Sequence, residues 1–222
     1  MEKTAGFSKG FKEIQDKVLA MGNMVTKEIH KSIEALKARD LKMAHQIIAD
    51  DAKIDDMRFT IEDKCIELMG MPKLTVADRR AIVVVLSIST ELERIGDYAE
   101  GIAKIVVMIG DEPPLKPLID IPRMAELTIE MIEKSLKSFV DRDVKLAKHV
   151  VTIDNLVDGL YDQVFRELLT FMMIDPKTIN RATRLIWVAH NLERAADRVT
   201  NICERVVFTV TGKMEELEVS KY

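Results

Sequence analysis

Apolar residues recur along this chain at intervals of three and four positions, which is the spacing of one face of an α-helix. The pattern continues over long stretches, because the chain contains only 9 glycines and 6 prolines to interrupt it. So few turn residues favour long helices over the many short strands of an all-β protein. We therefore predict six helices, over residues 11–38, 41–69, 77–109, 123–140, 144–172 and 178–210.

One segment within this pattern has a different local preference. The stretch "AIVVVLSIST" (81–90) is rich in β-branched residues and resembles a strand when it is taken alone. No turn residue separates it from the helical segment that follows. We therefore predict that it is helical and buried among neighbouring helices.

Prolines and short polar stretches divide the chain. Four of the six prolines crowd into "GDEPPLKPLIDIP" (110–122), and proline is poorly tolerated inside helices. The remaining connections are short, and Thr75 and Thr178 stand where helix N-caps are expected. We predict a first domain over residues 1–109, a linker over 110–122 and a second domain over 123–222.

The two predicted domains are related in sequence. "ARDLKMA" (38–44) resembles "DRDVKLA" (141–147) at an offset of 103 residues, and "LERIGD" (92–97) resembles "LERAAD" (192–197) at an offset of 100. A similarity that keeps its order across one small gap indicates an internal repeat. Short connections between long helices make those helices antiparallel neighbours. The predicted fold is therefore all-α, with two tandem antiparallel three-helix bundles.

Each repeat carries two pairs of carboxylates whose members are one helical turn apart. On the last helix of the second repeat, Asp197 lies ~40° from Glu193, opposite the apolar face. On the preceding helix, Asp154 and Asp158 lie at the border of the apolar face, from which they can turn toward a neighbouring helix. Grouped carboxylates repel one another, and a multivalent cation reverses that repulsion because hard cations prefer carboxylate oxygens. The predicted metal ligands are Asp51, Asp55, Glu93, Asp97, Asp154, Asp158, Glu193 and Asp197.

Two other interpretations of these acids stay open. Arg94, Arg194 and Arg198 could neutralise the carboxylates in surface ion pairs of little energy, as in a metal-free helical adaptor. A di-iron carboxylate enzyme of the ferritin-like kind is also a helical bundle with paired acids. Such an enzyme needs Glu-x-x-His motifs that project inward, whereas this chain has the reverse order, His190-x-x-Glu193.

Three further residues lie on the same helix face as Glu193. They are His190, Asn201 and Glu204, and whether any of them is a ligand stays open at this point. Gly101 replaces Asn201 in the first repeat. The second repeat is therefore expected to be the better supplied with ligands.

Composition and charge narrow the classes of partner. The formal net charge is −4 and no cluster of lysine and arginine is present, so nothing favours nucleic-acid binding. The most apolar run has about half of the ~20 residues that a membrane span needs. The N-terminal stretch "MEKTAGFSKGFKEIQ" also lacks the apolar segment of a signal peptide. We expect a cytoplasmic protein that does not insert into the membrane.

Several sulphur-containing and aromatic residues are expected inside the bundles. Cys65 and Cys203 lie in helical patterns without the spacing of a metal site, so we predict that they are buried free thiols. Trp187 and the methionines, Met172 and Met173 among them, are predicted to fill gaps in the core.

The doubled "LER-x-x-D" helices, the upstream "D-x-x-[VI]-D" pairs and the "T-x-x-D-R" segment at 75–79 together resemble the PhoU family of phosphate-uptake regulators. The resemblance covers nearly the whole chain, including its length and its six-helix tandem layout. The acidic motifs are specific for this family when they occur in this order, and each motif alone is weak evidence for it. One departure is "LERAAD", where the family usually has Ile-Gly before the aspartate.

This resemblance implies two three-helix bundles that bind multinuclear iron or zinc clusters through the eight carboxylates, with Mg or Mn as alternatives. It implies a regulator rather than an enzyme, commonly a homodimer. The implied role is negative regulation of phosphate uptake and of the transcriptional response to phosphate starvation. The implied partners are a sensor histidine kinase and the ATPase of the phosphate ABC transporter, which would place the cytoplasmic protein beside the inner membrane.

Overall fold

The computed structural model describes the backbone of residues 2–217 and the side chains of residues 6–217. The helices are α1 (Glu2–Ala38), α2 (Leu41–Asp50), α3 (Ala52–Met69), α4 (Val76–Ile109), α5 (Asp120–Asp141), α6 (Val144–Ile174) and α7 (Ile179–Thr211). A 3₁₀ turn, Pro176–Thr178, precedes α7, and no strand occurs within the described range. Because α2 and α3 are one interrupted helix, six long helices result and the predicted fold class is confirmed.

The helix boundaries differ most from the prediction in the first two predicted helices, and α5 also begins three residues earlier than predicted, at Asp120. Helix α1 begins earlier than predicted, where Phe7 and Phe11 stack with ring centroids 5.7 Å apart and pack against the core. The predicted second helix is interrupted at Asp51, which ends α2 and begins α3. Asp51 keeps helical dihedral angles, and its N–H still donates to the carbonyl of Ile47 at 3.2 Å. The interruption is therefore slight.

The two predicted N-caps behave differently. Thr75 forms a capping box at the start of α4, in which its hydroxyl accepts from the Asp78 N–H at 3.1 Å and the Asp78 carboxylate accepts from the Thr75 N–H at 2.9 Å. Thr178 precedes α7 but has helical dihedral angles and makes no capping bond, and its hydroxyl donates to the carbonyl of Asp175 at 2.7 Å. The cap prediction is thus confirmed at Thr75 and wrong at Thr178.

Helices α1, α4, α7 and α5 form the centre of the molecule. In the first half α2 and α3 pack against α1 and α4, and in the second half α6 packs against α5 and α7. The halves meet where α4 packs along α7 and α1 packs along α5. One hydrophobic core therefore runs through both halves. None of the helices in the described range is long and apolar enough to cross a membrane.

The segment between α4 and α5 lies against this core. Leu115 packs on the buried apolar residues, and Lys116 forms an ion pair with Glu167 of α6. Arg181 of α7 donates a hydrogen bond to the carbonyl of Pro113 at 3.3 Å. The predicted linker is therefore a packed connection rather than a loose tether.

The internal repeat extends to α1 and α5. Ser32 and Ser135 differ by the same offset of 103, and both are fully buried. Each hydroxyl donates to the carbonyl three residues earlier at 2.8 Å. The two helices are thus equivalent elements. The predicted domain limits stay a prediction, and residues 1 and 218–222 lie outside the described range.

The prediction of which sulphur-containing and aromatic residues are buried is partly correct. Cys65 and Cys203 are buried free thiols, as predicted. The prediction is wrong for Trp187 and Met173, which are 48% and 78% exposed, while Met172 is half-buried. Trp187 and Met173 therefore lie on exposed surfaces of α7 and α6, whereas Met172 packs against the core.

Candidate metal site

The packing of α3 on α4 brings the four predicted acids of the first half together. Burial raises the pKa of Asp51 to about 6, and the charges of Glu100, Asp97 and Asp55 raise it further. Burial also raises the pKa of Asp97, followed by the charges of Asp55 and Glu100. The pKa of Glu93 rises by burial and then by the charges of Asp97 and Asp55, with Arg58 acting against them. These carboxylates therefore repel one another, which is the condition that favours a cation.

Gly96 allows this close approach of the two helices. A Cβ atom at this position would lie 3.0 Å from Cδ1 of Ile54 and 3.6 Å from Oδ1 of Asp51. The glycine therefore lets α3 settle on α4 with Asp51 near the acidic face. The equivalent residue of the second half is Ala196, which is fully buried.

The structure adds Arg58 to the first-half site, although no pattern in the sequence indicates it. Its Nε lies 3.8 Å from Oε1 of Glu93, its guanidinium pairs with Glu62, and it covers the ring of Phe59 at 4.6 Å. Arg58 is therefore a positive charge built into the edge of the acidic cluster. At the repeat offset of 103 the second half has Tyr161 instead.

Two acids of the first half were also missed. Glu100 lies beside Asp51 and Asp97, and it pairs with Lys104 of its own helix at 2.5 Å. Glu28 of α1 is only 7% exposed, and Asp51 is the largest charge that acts on it. The spacing from Asp97 to Glu100 could have suggested Glu100, but no local pattern singles out Glu28.

The second half brings three predicted acids together. Burial raises the pKa of Glu193 to about 7, and the charges of Asp197 and Asp158 add to the rise. Burial also raises the pKa of Asp197, although Arg194 acts against it, with Nη1 2.8 Å from Oδ2 of the aspartate. Of the arginines that could neutralise these acids, Arg194 therefore pairs with Asp197, and the described residues give Glu193 no comparable pair with an arginine.

Asp154 has a different environment from its repeat equivalent, Asp51. It is 1% exposed and lies beside Cys203, whose pKa it helps to raise. Cys203 belongs to the buried face of α7. Asp154 therefore lies deeper in the α6–α7 interface than the other three acids, and its role as a ligand stays a prediction.

The three additional ligand candidates of the second half, His190, Asn201 and Glu204, contact different partners. The Nδ1 atom of His190 lies 3.4 Å from Oε2 of Glu193, so the histidine belongs to the site. Asn201 instead donates to Glu91 of α4 at 3.3 Å, and Glu204 accepts from the N–H of Leu217 at 3.0 Å. Asn201 and Glu204 therefore have partners outside the acidic cluster, and the expectation that they supply the second site stays a prediction.

The donors that are present suit a cation that prefers oxygen. Both sites consist of carboxylates, with one imidazole in the second, and this donor set is typical of Mg, Mn and iron sites. Oε2 of Glu193 is buried and makes no hydrogen bond in the described structure, although Nδ1 of His190 lies 3.4 Å away, so a ligand could satisfy it. Within residues 6–217, however, no three His, Cys, Asp or Glu side chains are already arranged to hold one ion. Binding would require these side chains to turn toward one another.

Known proteins resemble the chain over both repeats. The PhoU domain family matches residues 18–106 and 121–206, and each range contains four of the eight predicted carboxylates. The chain is 38% identical over 212 residues to the phosphate-specific transport system accessory protein PhoU homolog of Clostridium acetobutylicum. The aligned region covers 95% of this chain and 97% of that protein. It is also 38% identical over 186 residues to the protein of the same name from Aquifex aeolicus, and this aligned region covers 84% of each protein.

A solved structure has the same fold. The crystal structure of PhoU from Pseudomonas aeruginosa superposes with a TM-score of 0.88 at 30% sequence identity. The superposition covers 93% of this chain and 100% of that one. The similarity therefore extends over both three-helix bundles.

Proposed function

We propose that this chain, which belongs to the PhoU family, is a negative regulator of phosphate uptake and of the phosphate-starvation response. The observation that carries the proposal is the double family match, because both matched ranges contain an acidic site. The relatives named as accessory proteins of a phosphate-specific transport system support the same role.

The regulator would act through protein contacts that depend on a bound metal. Asp51, Asp55, Glu93 and Asp97 would hold it in the first half, as a multinuclear iron or zinc cluster or as Mg or Mn ions. Asp154, Asp158, Glu193 and Asp197 would hold it in the second. When bound, the cations would neutralise carboxylates that otherwise repel one another and would hold α3 on α4 and α6 on α7.

The proposed partners are a sensor histidine kinase and the ATPase of the phosphate ABC transporter. The protein would work in the cytoplasm as a homodimer and would reach the inner membrane only through these partners. Exposed apolar side chains on the outer side of α6 and α7 support a role in protein contacts. They are Phe165, Leu169, Met173, Ile174 and Trp187.

The proposed role is regulatory rather than catalytic. In a ferritin-like enzyme the paired acids project into the interior of the bundle. Here Asp97 is exposed, and the side chains of Glu193 and Asp197 are partly exposed at 18% and 32%. Oxygen consumption by the iron-loaded protein would favour the enzyme, and we expect none.

Gene deletion in the native host tests the regulatory role. We expect phosphate-starvation genes to be expressed in phosphate-rich medium after deletion, and wild-type protein to restore repression. A variant with Glu93→Gln, Asp97→Asn, Glu193→Gln and Asp197→Asn should fail to restore it although it accumulates normally. Unchanged expression in the deletion strain would contradict the proposal.

A further inference from the structure

Glu28 is a buried carboxylate on the inner side of the first bundle. It lies on α1, which packs against α2, α3 and α4, and it is only 7% exposed. Its Oε2 atom has no hydrogen-bond partner within the described structure. A buried carboxylate oxygen without a partner is unfavourable, so its presence requires an explanation.

The second half of the chain provides the comparison. At the offset of 103, which Ser32 and Ser135 confirm for these helices, the equivalent of Glu28 is Met131. Met131 is fully buried. An apolar side chain therefore satisfies the packing at this position of the fold. The first half has a carboxylate where packing alone favours an apolar residue.

The surroundings of Glu28 connect it to the acidic site. Burial raises the pKa of Glu28 to about 7, and the charges of Asp51 and Asp50 follow as causes. Asp50 already pairs with Lys53 at 2.6 Å and accepts from Gln46 at 2.9 Å. Asp51 is therefore the neighbour that remains to share a ligand with Glu28.

The acids of the first half thus extend from the exposed Asp97 on α4 to the buried Glu28 on α1. Asp51 is the carboxylate that couples to both, since its charge acts on Glu28 and the charges of Glu100 and Asp97 act on it. Lys31 and Lys53 lower the pKa of Glu28, but Lys53 is already paired with Asp50. A multivalent cation would neutralise both Glu28 and Asp51 in one step.

We propose that Glu28 is a further ligand, supplied by α1, of the first-half cation site. The proposal rests on the proposed function, in which the first-half acids bind a cation. It assigns a hard, oxygen-preferring multivalent ion to Glu28 and Asp51. Because Met131 occupies the equivalent position, the two halves of the chain bind cations with different ligand sets.

Mn²⁺ binding to the full chain tests this assignment. The second site is removed with Glu193→Gln and Asp197→Asn, and free Mn²⁺ is measured by electron paramagnetic resonance during titration. In this background Glu28→Met, which introduces the residue of the second repeat, should raise the Kd about tenfold or more. Glu28→Gln, which keeps the size of the side chain, should have the same effect. Glu34→Met, which removes a more exposed carboxylate from the same helix, should leave the Kd unchanged.

The reciprocal background separates the possible failures. When Glu93→Gln and Asp97→Asn remove the first site, Glu28→Met should not change the remaining Mn²⁺ binding. If both Glu28 variants fold and keep the Kd within about twofold, while Glu93→Gln with Asp97→Asn removes binding, the assignment of Glu28 is wrong and the proposed function stands. If the unmodified chain binds no multivalent cation, both are overturned.

Discussion

Asn201 of α7 donates a hydrogen bond to Glu91 of α4 across the boundary between the halves, with 3.3 Å between Nδ2 and Oε2. Nη1 of Arg198 lies 3.6 Å from the same carboxylate oxygen. At the position related by the offset of 100, Gly101 lies against Asn191, where a Cβ atom would be 2.8 Å from Oδ1. Asn201, which follows the acidic motif on the same face of α7, therefore helps to join the two repeats.

Removing the Glu91 charge is expected to destabilise the chain. The side chains of Glu91 and Arg198 are 19% and 20% exposed. Water therefore has little access to solvate Arg198 after the carboxylate is removed. We expect Glu91→Ala to lower the free energy of unfolding by about 1–3 kcal/mol, measured by urea denaturation with a chelator present.

A surface carboxylate provides the control for this variant. Glu126 pairs with Arg123 on α5, and its side chain is 65% exposed. Glu126→Ala should stay within about 0.5 kcal/mol of wild type. Equal losses in Glu91→Ala and Glu126→Ala would show that the contact across the halves adds no specific stability.

The stability of the chain should depend on the ionisation of Glu28. Its pKa is raised to about 7 by burial and then by Asp51 and Asp50, from an ordinary value of 4.5. The folded chain therefore binds the proton more tightly than the unfolded chain does. The stability that this proton supplies is present below pH 4.5 and is lost as the pH rises to about 7.

Glu28→Gln removes this dependence. Relative to wild type, the variant should gain on the order of 2–3 kcal/mol between pH 4.5 and pH 8, because it never buries the charge. Chemical denaturation in the presence of a chelator measures the difference. Parallel stability curves for the two proteins would contradict the buried, neutral carboxyl group.

Both thiols should be unreactive in the folded chain. Burial raises the pKa of Cys65 and of Cys203 to about 12, with smaller contributions from Glu62 and Glu204. We expect no labelling by Ellman's reagent under native conditions and labelling of both cysteines in urea. Complete labelling of the native protein within seconds would contradict their burial.

The capping box at the start of α4 should contribute measurably to the free energy of unfolding. Thr75→Ala removes the hydroxyl that accepts from the Asp78 N–H, and we expect a loss of about 1 kcal/mol in urea denaturation. Thr178→Ala is the matched variant at the start of α7. It should lose less helix-capping energy because Thr178 makes no capping bond there.

Periodicity and repetition predict most of this fold. The spacing of apolar residues identifies the long helices, and the offset of 103 relates α1 to α5 before any packing is known. The position of Trp187 could not be predicted in this way. A large apolar residue on a helix looks the same in sequence whether or not another helix covers it.

The candidate site shows a similar limit. The one-turn spacing of Asp51 with Asp55 and of Glu93 with Asp97 indicates which acids share a helix face. The approach of a third helix is a tertiary relationship, so spacing does not indicate that Glu28 lies near Asp51. Neither does it indicate that Asp154 is buried beside Cys203, since the depth of a border position depends on how the neighbouring helix packs.

The metal content of the full chain tests the central claim most directly. Purified protein is stripped with a chelator, reloaded separately with iron and with Mn²⁺, and measured by elemental analysis. We predict that Glu93→Gln with Asp97→Asn and Glu193→Gln with Asp197→Asn each lose part of the bound metal, and that the combined variant loses all of it. Full metal retention in both double variants would contradict the account.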